Sequence, residues 1–219
     1  MTNDEVIAKT AAFVKAKFSG EGSGHDWWHM YRVWQLAKHI GKAEKADMFE
    51  VELGALLHDI ADWKFHDGDT EVGPRVAREW LESLGVDEPI IERTTYIVRH
   101  ISFKGGTNKH VMETLPGKIV QDADRLDAIG AIGIARVFAF GGSHGRAMYD
   151  PGISPKDMKT FEEYKNSVKD NTSINHFYEK LLLLKDRLHT KTAQQIAEHR
   201  HKVLEDFLQE FYAEWEGKK

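Results

Sequence analysis

The feature that most constrains the fold of this 219-residue chain is a polar pair inside an apolar stretch. His58 and Asp59 stand in residues 51–63, a mostly apolar run that predicts a largely buried helix. An ionised carboxylate in such surroundings costs free energy unless it is paired or binds a metal ion. The chain is therefore expected to fold so that other polar groups reach this pair.

Two further segments carry polar groups of the same kind. Residues 119–129 form a second apolar helical stretch that contains three aspartates. These are Asp122, Asp124 and Asp127. Residues 25–32 predict the beginning of a third helix, in which polar groups at helical spacing share one face. These groups are His25, His29 and Arg32.

Histidines and aspartates from three separated helices predict a metal centre inside a helical bundle. Two imidazoles and two carboxylates around one ion would form a mixed nitrogen and oxygen site. Such a site favours octahedral Mn²⁺, Mg²⁺, Fe²⁺ or Co²⁺ over tetrahedral structural Zn²⁺. The remaining positions would hold water, which a divalent ion makes nucleophilic at neutral pH.

Helical periodicity dominates the rest of the chain, and few stretches alternate as strands do, so the predicted fold class is all-α. We expect one domain over residues 1–219, a helical bundle with the metal site in its core. Asn3 or Asp4 is expected to cap the first helix and Asp26 the second. The predicted helices cover residues 3–18, 26–40, 44–63, 71–84, 88–101, 117–140, 156–167, 174–188 and 192–215.

Composition excludes several classes of protein. The formal net charge of −5 gives no general attraction to nucleic acid or to anionic membrane, so neither is an expected partner. The absence of cysteine excludes disulfides and thiolate metal sites and fits a reducing compartment. The acidic N-terminus lacks the apolar core of a signal peptide, and no apolar run is long enough to cross a bilayer. We expect a cytoplasmic protein, whose oligomeric state the sequence does not indicate.

Three motifs together resemble those of the HD superfamily of metal-dependent phosphohydrolases, whose pattern is a His, then a His-Asp pair, then a distant Asp. His29, His58 with Asp59, and Asp124 match this pattern in residue type, order and helical context. The matching flanks are GHDWWH at residues 24–29, LLHDIAD at residues 56–62 and QDADRLD at residues 121–127. The chain resembles in particular the small bacterial HD-domain hydrolases, from about Thr10 to the C-terminal helix.

The resemblance implies a ligand set for one divalent metal ion, with Mn²⁺ or Mg²⁺ expected first and Fe²⁺ or Co²⁺ second. The implied ligands are His29, His58, Asp59 and Asp124. Relatives often carry a carboxylate, commonly Glu, three residues after the Asp of the pair. Asp62 has this position and is expected to be the catalytic acid–base group, although its side chain is one methylene shorter. His100 alone does not indicate a second metal ion.

Basic residues close to the motifs are candidate contacts for substrate phosphate. They are Arg32, Lys104, Arg125 and His25. Each has an alternative role: a salt bridge for Arg32, ordinary solvation for Lys104, and a surface or ligand-supporting position for His25. Asp122 and Asp127 are expected to be structural partners of Arg125.

The activity that the resemblance implies is hydrolysis of a phosphate ester or anhydride, with a nucleotide as the expected small-molecule substrate. Within that class the leading expectation is a nucleoside triphosphate pyrophosphohydrolase, and the second is a nucleoside monophosphate phosphatase of the 5′-nucleotidase type. A different class is a catalytically silent module that binds a metal ion or a nucleotide. The complete ligand pattern together with Asp62 argues against this last class.

Overall fold

The computed structural model describes residues 1–18, 26–61, 69–101, 112–156 and 171–219. Within these ranges the regular structure is helical and contains no strand, which confirms the predicted all-α fold class. The described residues form two compact units, one containing residues up to 123 and the other beginning at residue 124. The single domain expected over residues 1–219 stays a prediction.

The first unit is built from amphipathic helices around a core of aliphatic side chains. Its helices are α1 (Asn3–Lys17), α2 (Trp27–Ala43), α3 (Met48–Leu57), α4 (Val72–Ser83), α5 (Glu88–His100) and the first residues of α6 (Leu115–Asp127). Helix α3 is central, because a Cβ atom added at Gly54 would lie 3.2 Å from both Ile97 of α5 and Val120 of α6. Glycine at this position therefore allows the three helix backbones to approach closely.

The second unit has its own aromatic and aliphatic core. It contains α7 (Gly130–Ser143), α8 (Ser173–Glu179), two short 3₁₀ helices (Leu181–Leu183 and Lys185–Arg187) and α9 (Lys191–Trp215). Phe177 of α8 is fully buried and stacks on Phe207 of α9, with ring centroids 5.5 Å apart. Phe138 of α7 lies against the same two rings.

The helix caps agree with the sequence analysis in one of two places. The Asp26 side chain accepts a hydrogen bond from the His29 N–H at 2.9 Å, which confirms Asp26 as the cap of α2. The prediction of Asn3 or Asp4 as the first cap was wrong. Thr2 holds this position in a reciprocal capping box with Glu5, which satisfies two backbone N–H groups at once.

Three predicted helices differ in extent from the structure. The helix expected over residues 44–63 begins at Met48 and ends at Leu57, so the His-Asp pair lies just beyond it rather than inside it. The helix expected over residues 117–140 is divided into α6 and α7. The break needs Gly130, whose φ of +76° lies in the left-handed region that favours glycine.

The prediction of one helix over residues 174–188 was also wrong beyond Glu179, where two short 3₁₀ helices follow. The 3₁₀ turns have about three residues per turn, and they bury Leu181 and Leu184 while Leu183 faces solvent. The helix expected over residues 156–167 falls almost wholly outside the described residues.

No single helix in the described ranges is both long enough and apolar enough to span a membrane. Only α6 and α7, taken together across their break, pass a test of length and composition.

Candidate metal centre

His29 reaches the centre from the first turn of α2. Because the Asp26 carboxylate accepts the His29 N–H, the cap fixes the backbone that carries this imidazole. The His29 side chain is fully buried. A buried imidazole is usually neutral and retains one nitrogen with a lone pair, which makes it a suitable metal ligand.

His58 is the residue directly after α3, and its tautomer follows from its surroundings. Its Nδ1 atom lies 2.9 Å from the Ala55 carbonyl oxygen, so Nδ1–H is the donor. In a neutral ring this leaves a lone pair on Nε2. A backbone carbonyl that orients a ligating histidine through its other nitrogen is a recurring feature of metal sites.

Asp59 completes a group of three donors. Its Oδ2 atom lies 3.6 Å from Nε2 of His29 and 3.6 Å from Nε2 of His58. The two Nε2 atoms are 3.3 Å apart, and all three donor atoms lie within 4.8 Å of one another. The two rings are inclined at 70° to each other, with their centroids 5.3 Å apart.

This arrangement fits a divalent metal ion. Two donor atoms held about 2.1 Å from one octahedral ion are roughly 3.0 Å apart in neighbouring positions. The separations of 3.3 and 3.6 Å are close to that value. The Asp59 side chain is only 19% exposed, and a carboxylate so placed is compensated when a cation binds it. Within the described residues this is the group of His and acidic side chains that meets the geometry of a metal site.

The predicted fourth ligand is Asp124, whose role stays a prediction. It is half-buried on α6 and belongs to the second unit. Asp127, one turn further on, is buried, and its Oδ2 atom accepts a hydrogen bond from Arg136 at 2.8 Å. The sequence analysis did not indicate this partner, because nothing local relates the two residues.

Two of the predicted substrate contacts are described. Arg32 lies on α2 one turn after His29 and is half-buried, as a side chain on the same helix face should be. Arg125 uses Nη1 within the second unit, where it donates to the Arg187 carbonyl and to Nε2 of His189, the latter at 3.2 Å. Both assignments as phosphate contacts stay predictions.

Three predicted site residues lie outside the described residues: His25, Asp62 and Lys104. The helix that was expected to continue through Asp62 ends at Leu57. His100 is described. It lies at the end of α5, with its ring centroid 4.8 Å from that of Tyr96, and it is not part of the three-donor group.

Comparisons with known proteins identify relatives of this chain. The HD domain family matches residues 27–129. The uncharacterized protein YpgQ of Bacillus subtilis is 38% identical over 200 residues, which cover 90% of this chain and 88% of YpgQ. An HD-superfamily hydrolase from Bacillus thuringiensis is 42% identical, with a TM-score of 0.76 over 98% of this chain and 99% of its own.

Two other solved structures extend the comparison. A protein from Lactobacillus plantarum superposes with a TM-score of 0.85 at 34% identity, and covers 99% of this chain and 100% of its own. YpgQ has been solved in complex with ADP. That structure superposes with a TM-score of 0.74 at 34% identity, over 95% of this chain and 97% of its own.

Proposed function

We propose that this chain, which belongs to the HD superfamily of hydrolases, hydrolyses nucleotides with the help of one divalent metal ion. The family comparisons confirm the membership that the motifs predicted. The observation that carries the proposal is the meeting of His29, His58 and Asp59, which brings two imidazole nitrogens and one carboxylate oxygen within 4.8 Å of one another.

The proposed substrate class rests on a relative. YpgQ has been solved in complex with ADP, and it matches nearly the whole length of this chain. ADP has one phosphate fewer than a nucleoside triphosphate and one more than a nucleoside monophosphate, so it supports a nucleotide substrate and is compatible with either activity. The nucleoside triphosphate pyrophosphohydrolase is the leading proposal because the motif resemblance implies it first.

The chain's own residues have separate roles in this proposal. His29, His58 and Asp59 hold the ion, and the family pattern assigns the fourth ligand to Asp124. When bound, a divalent ion supplies a Lewis acid that lowers the pKa of water and neutralises phosphoryl charge. Asp62 accepts the proton of the attacking water or passes one to the leaving oxygen. Mn²⁺ and Mg²⁺ are the proposed ions, because the donor set mixes imidazole with carboxylate.

The proposed phosphate contacts are Arg32, Lys104, Arg125 and His25. A cationic side chain that binds substrate and transition state equally raises KM when it is removed, whereas one that acts in the transition state lowers kcat. We expect the alanine variants of Arg32 and Lys104 each to change one of these constants. If both constants are unchanged in both variants, this assignment is wrong.

The test is product analysis with defined nucleotides. Nucleoside tri-, di- and monophosphates are incubated with the protein in Mn²⁺, Mg²⁺ or Co²⁺, and released pyrophosphate and orthophosphate are measured separately. The proposal expects pyrophosphate and a monophosphate from a triphosphate. Orthophosphate from monophosphates alone would replace it by the phosphatase alternative. Nucleotide binding without any product would overturn enzymatic activity and favour the silent module.

A matched pair of variants connects the activity to the metal centre. His29→Gln removes a buried donor, whereas His39→Gln changes an exposed histidine further along the same helix. We expect the first variant to lose bound metal and activity, and the second to retain both. Equal activity in the two variants would show that hydrolysis does not depend on this centre.

A further inference from the structure

The last turn of α6, which carries Asp124, accepts hydrogen bonds from arginines on two other helices of the second unit. Leu126 and Asp127 each accept a hydrogen bond from an arginine of another helix. Arg125, in the same turn, donates a hydrogen bond to a group elsewhere in the second unit. The last carbonyl groups of a helix have no partner within the helix, so the end of α6 would fray without other donors. Two guanidinium groups, those of Arg136 and Arg200, bind this turn from other helices.

Arg136 binds this turn from α7. Its Nη1 atom donates to Oδ2 of Asp127 at 2.8 Å, and the Asp127 side chain is 1% exposed. A buried carboxylate that loses its cation is strongly unfavourable, so the pair fixes the distance between the end of α6 and the second turn of α7. Between the two helices lie Ala128 and Ile129, outside either helix.

Arg200 binds the same turn from α9. Its Nη1 atom donates to the Leu126 carbonyl at 2.5 Å, an oxygen that also accepts the Ile129 N–H. A Cβ atom at Gly130 would lie 3.0 Å from Cγ of Arg200, so the arginine stem packs directly on the break. Burial lowers the pKa of the Arg200 guanidinium, and the charge of Asp127 partly offsets that effect.

Arg125 extends the same network away from α6. It donates to the Arg187 carbonyl in the second 3₁₀ helix and to Nε2 of His189. Because Arg125 is also a candidate phosphate contact, changes in its own variant would not separate the two roles. Arg136 and Arg200 have no expected role in phosphate binding, so their variants report on the turn alone.

We propose that Arg136 and Arg200 are positioning residues for Asp124, and that they hold the last turn of α6 in the geometry that metal binding requires. This rests on the proposed ligand role of Asp124. A metal ligand must be held within about 0.5 Å of its productive position, and residues around it supply that restraint. The two arginines reach residues two and three positions after Asp124, so they fix its backbone rather than its carboxylate.

The experiment measures Mn²⁺ affinity by calorimetry on the metal-free protein, with unfolding of the same protein as a second readout. Arg136→Gln and Arg200→Gln are each expected to weaken Mn²⁺ binding by about 10–100-fold, the usual effect of removing support from a ligand. Arg200→Lys retains a cationic donor and is expected to recover most of the affinity. Arg78→Gln is the control, since Arg78 is an α4 arginine in exposed ion pairs with Glu82 and Glu88.

Asp124→Ala distinguishes failure of this inference from failure of the ligand assignment. If that variant binds Mn²⁺ as tightly as the wild type, the ligand role itself is wrong. If Asp124→Ala weakens binding while both arginine variants leave it unchanged, the ligand role stands and positioning is overturned.

A double variant separates positioning from general destabilisation. If Arg200 acts through Asp124, Arg200→Gln has no further effect on Mn²⁺ affinity in the Asp124→Ala background. If the double variant instead loses additional affinity equal to that of Arg200→Gln alone, the arginine acts by another route and the proposal fails. Arg200→Lys in the same background supplies the comparison should Arg200→Gln not fold.

Discussion

At the scale of single residues, the donor set depends on which nitrogen of each imidazole faces inward. The Ala55 carbonyl engages Nδ1 of His58 at 2.9 Å and so directs Nε2 toward His29 and Asp59. The Asp26 cap fixes the first turn of the helix that carries His29. Backbone groups and a cap thus help to arrange the side chains of the proposed metal centre.

Asp59→Ala is expected to abolish activity and to weaken binding of the divalent ion by more than about 100-fold, because it removes a ligand rather than a supporting group. The metal-free protein should change in free energy of unfolding by less than about 1 kcal/mol, because the variant removes the desolvation cost of a largely buried carboxylate together with its contacts to His29 and His58. Elemental analysis and urea unfolding measure the two effects. Asp186→Ala, at an exposed aspartate, is the control. Full metal content in Asp59→Ala would contradict the assignment.

Asp62→Asn retains side-chain size and removes the base. If Asp62 is the acid–base group, metal content persists while kcat falls by roughly 10²–10⁴-fold. If Asp62 instead supports a ligand, metal affinity falls by about 10–100-fold. Metal stoichiometry and kcat measured on the same variant separate the two roles. Full activity with full metal would eliminate both.

At the scale of elements, the break between α6 and α7 sets where each helix can place its side chains. Ile129 is extended, Gly130 is left-handed, and α7 begins there. A Cβ atom at Gly133 would lie 2.2 Å from the Ala128 carbonyl oxygen. The first turn of α7 therefore packs on the backbone of the break, which only glycine at this position permits.

Gly133→Ala is expected to destabilise the protein by about 1–3 kcal/mol, because backbone must move to admit the methyl group. Gly142→Ala is the matched control near the other end of α7, where a Cβ atom meets nothing within 4 Å. That variant is expected to stabilise the helix by about 0.5–1 kcal/mol, since alanine is the better helix former. Urea unfolding of both variants measures the difference. Equal free energies would contradict the close approach at Gly133.

At the scale of the whole molecule, the free energy of unfolding is expected to fall in acid, in part because of the half-buried His176. Burial, with the nearby charges of Lys180 and Arg146, lowers the pKa of His176 from 6.5 to about 3. The unfolded chain takes up this proton near pH 6.5, and the folded chain only near pH 3. This contribution to stability is therefore complete above about pH 6.5 and is lost progressively as pH falls toward 3.

His176→Gln removes the group that binds this proton. The free energy of unfolding of the variant is therefore expected to fall less between pH 6.5 and 4 than that of the wild type. A histidine that cannot be protonated at all in the folded state would change the free energy of unfolding by about 1.36 kcal/mol per pH unit. The effect of His176→Gln on this slope should be smaller, because His176 is partly exposed to water. Urea unfolding of the metal-free protein at several pH values measures the slope. His144→Gln, at an exposed histidine, should leave the slope unchanged. Equal slopes for His176→Gln and the wild type would contradict the assignment.

Local sequence patterns were sufficient to predict much of the fold and the residues of the candidate metal centre. The 3.6-residue periodicity predicted the all-α class, and the spacing of His29, His58 and Asp59 predicted a metal centre and the HD superfamily. Asp26 was recognisable as a cap because capping involves only residues within one turn. The roles of His25, Asp62 and Lys104 stay predictions from the same motifs.

Tertiary packing decided the features that no local pattern specifies. Apolar periodicity continues through residues 44–63 and 117–140, yet the helices end at Leu57 and divide after Asp127, because neighbouring helices decide where the backbone turns. The contact of 3.3 Å between His29 and His58 joins residues 29 positions apart, and the hydrogen bond from Arg200 to Leu126 joins residues 74 positions apart. Sequence determined which chemical groups are present, and packing determined which of them meet.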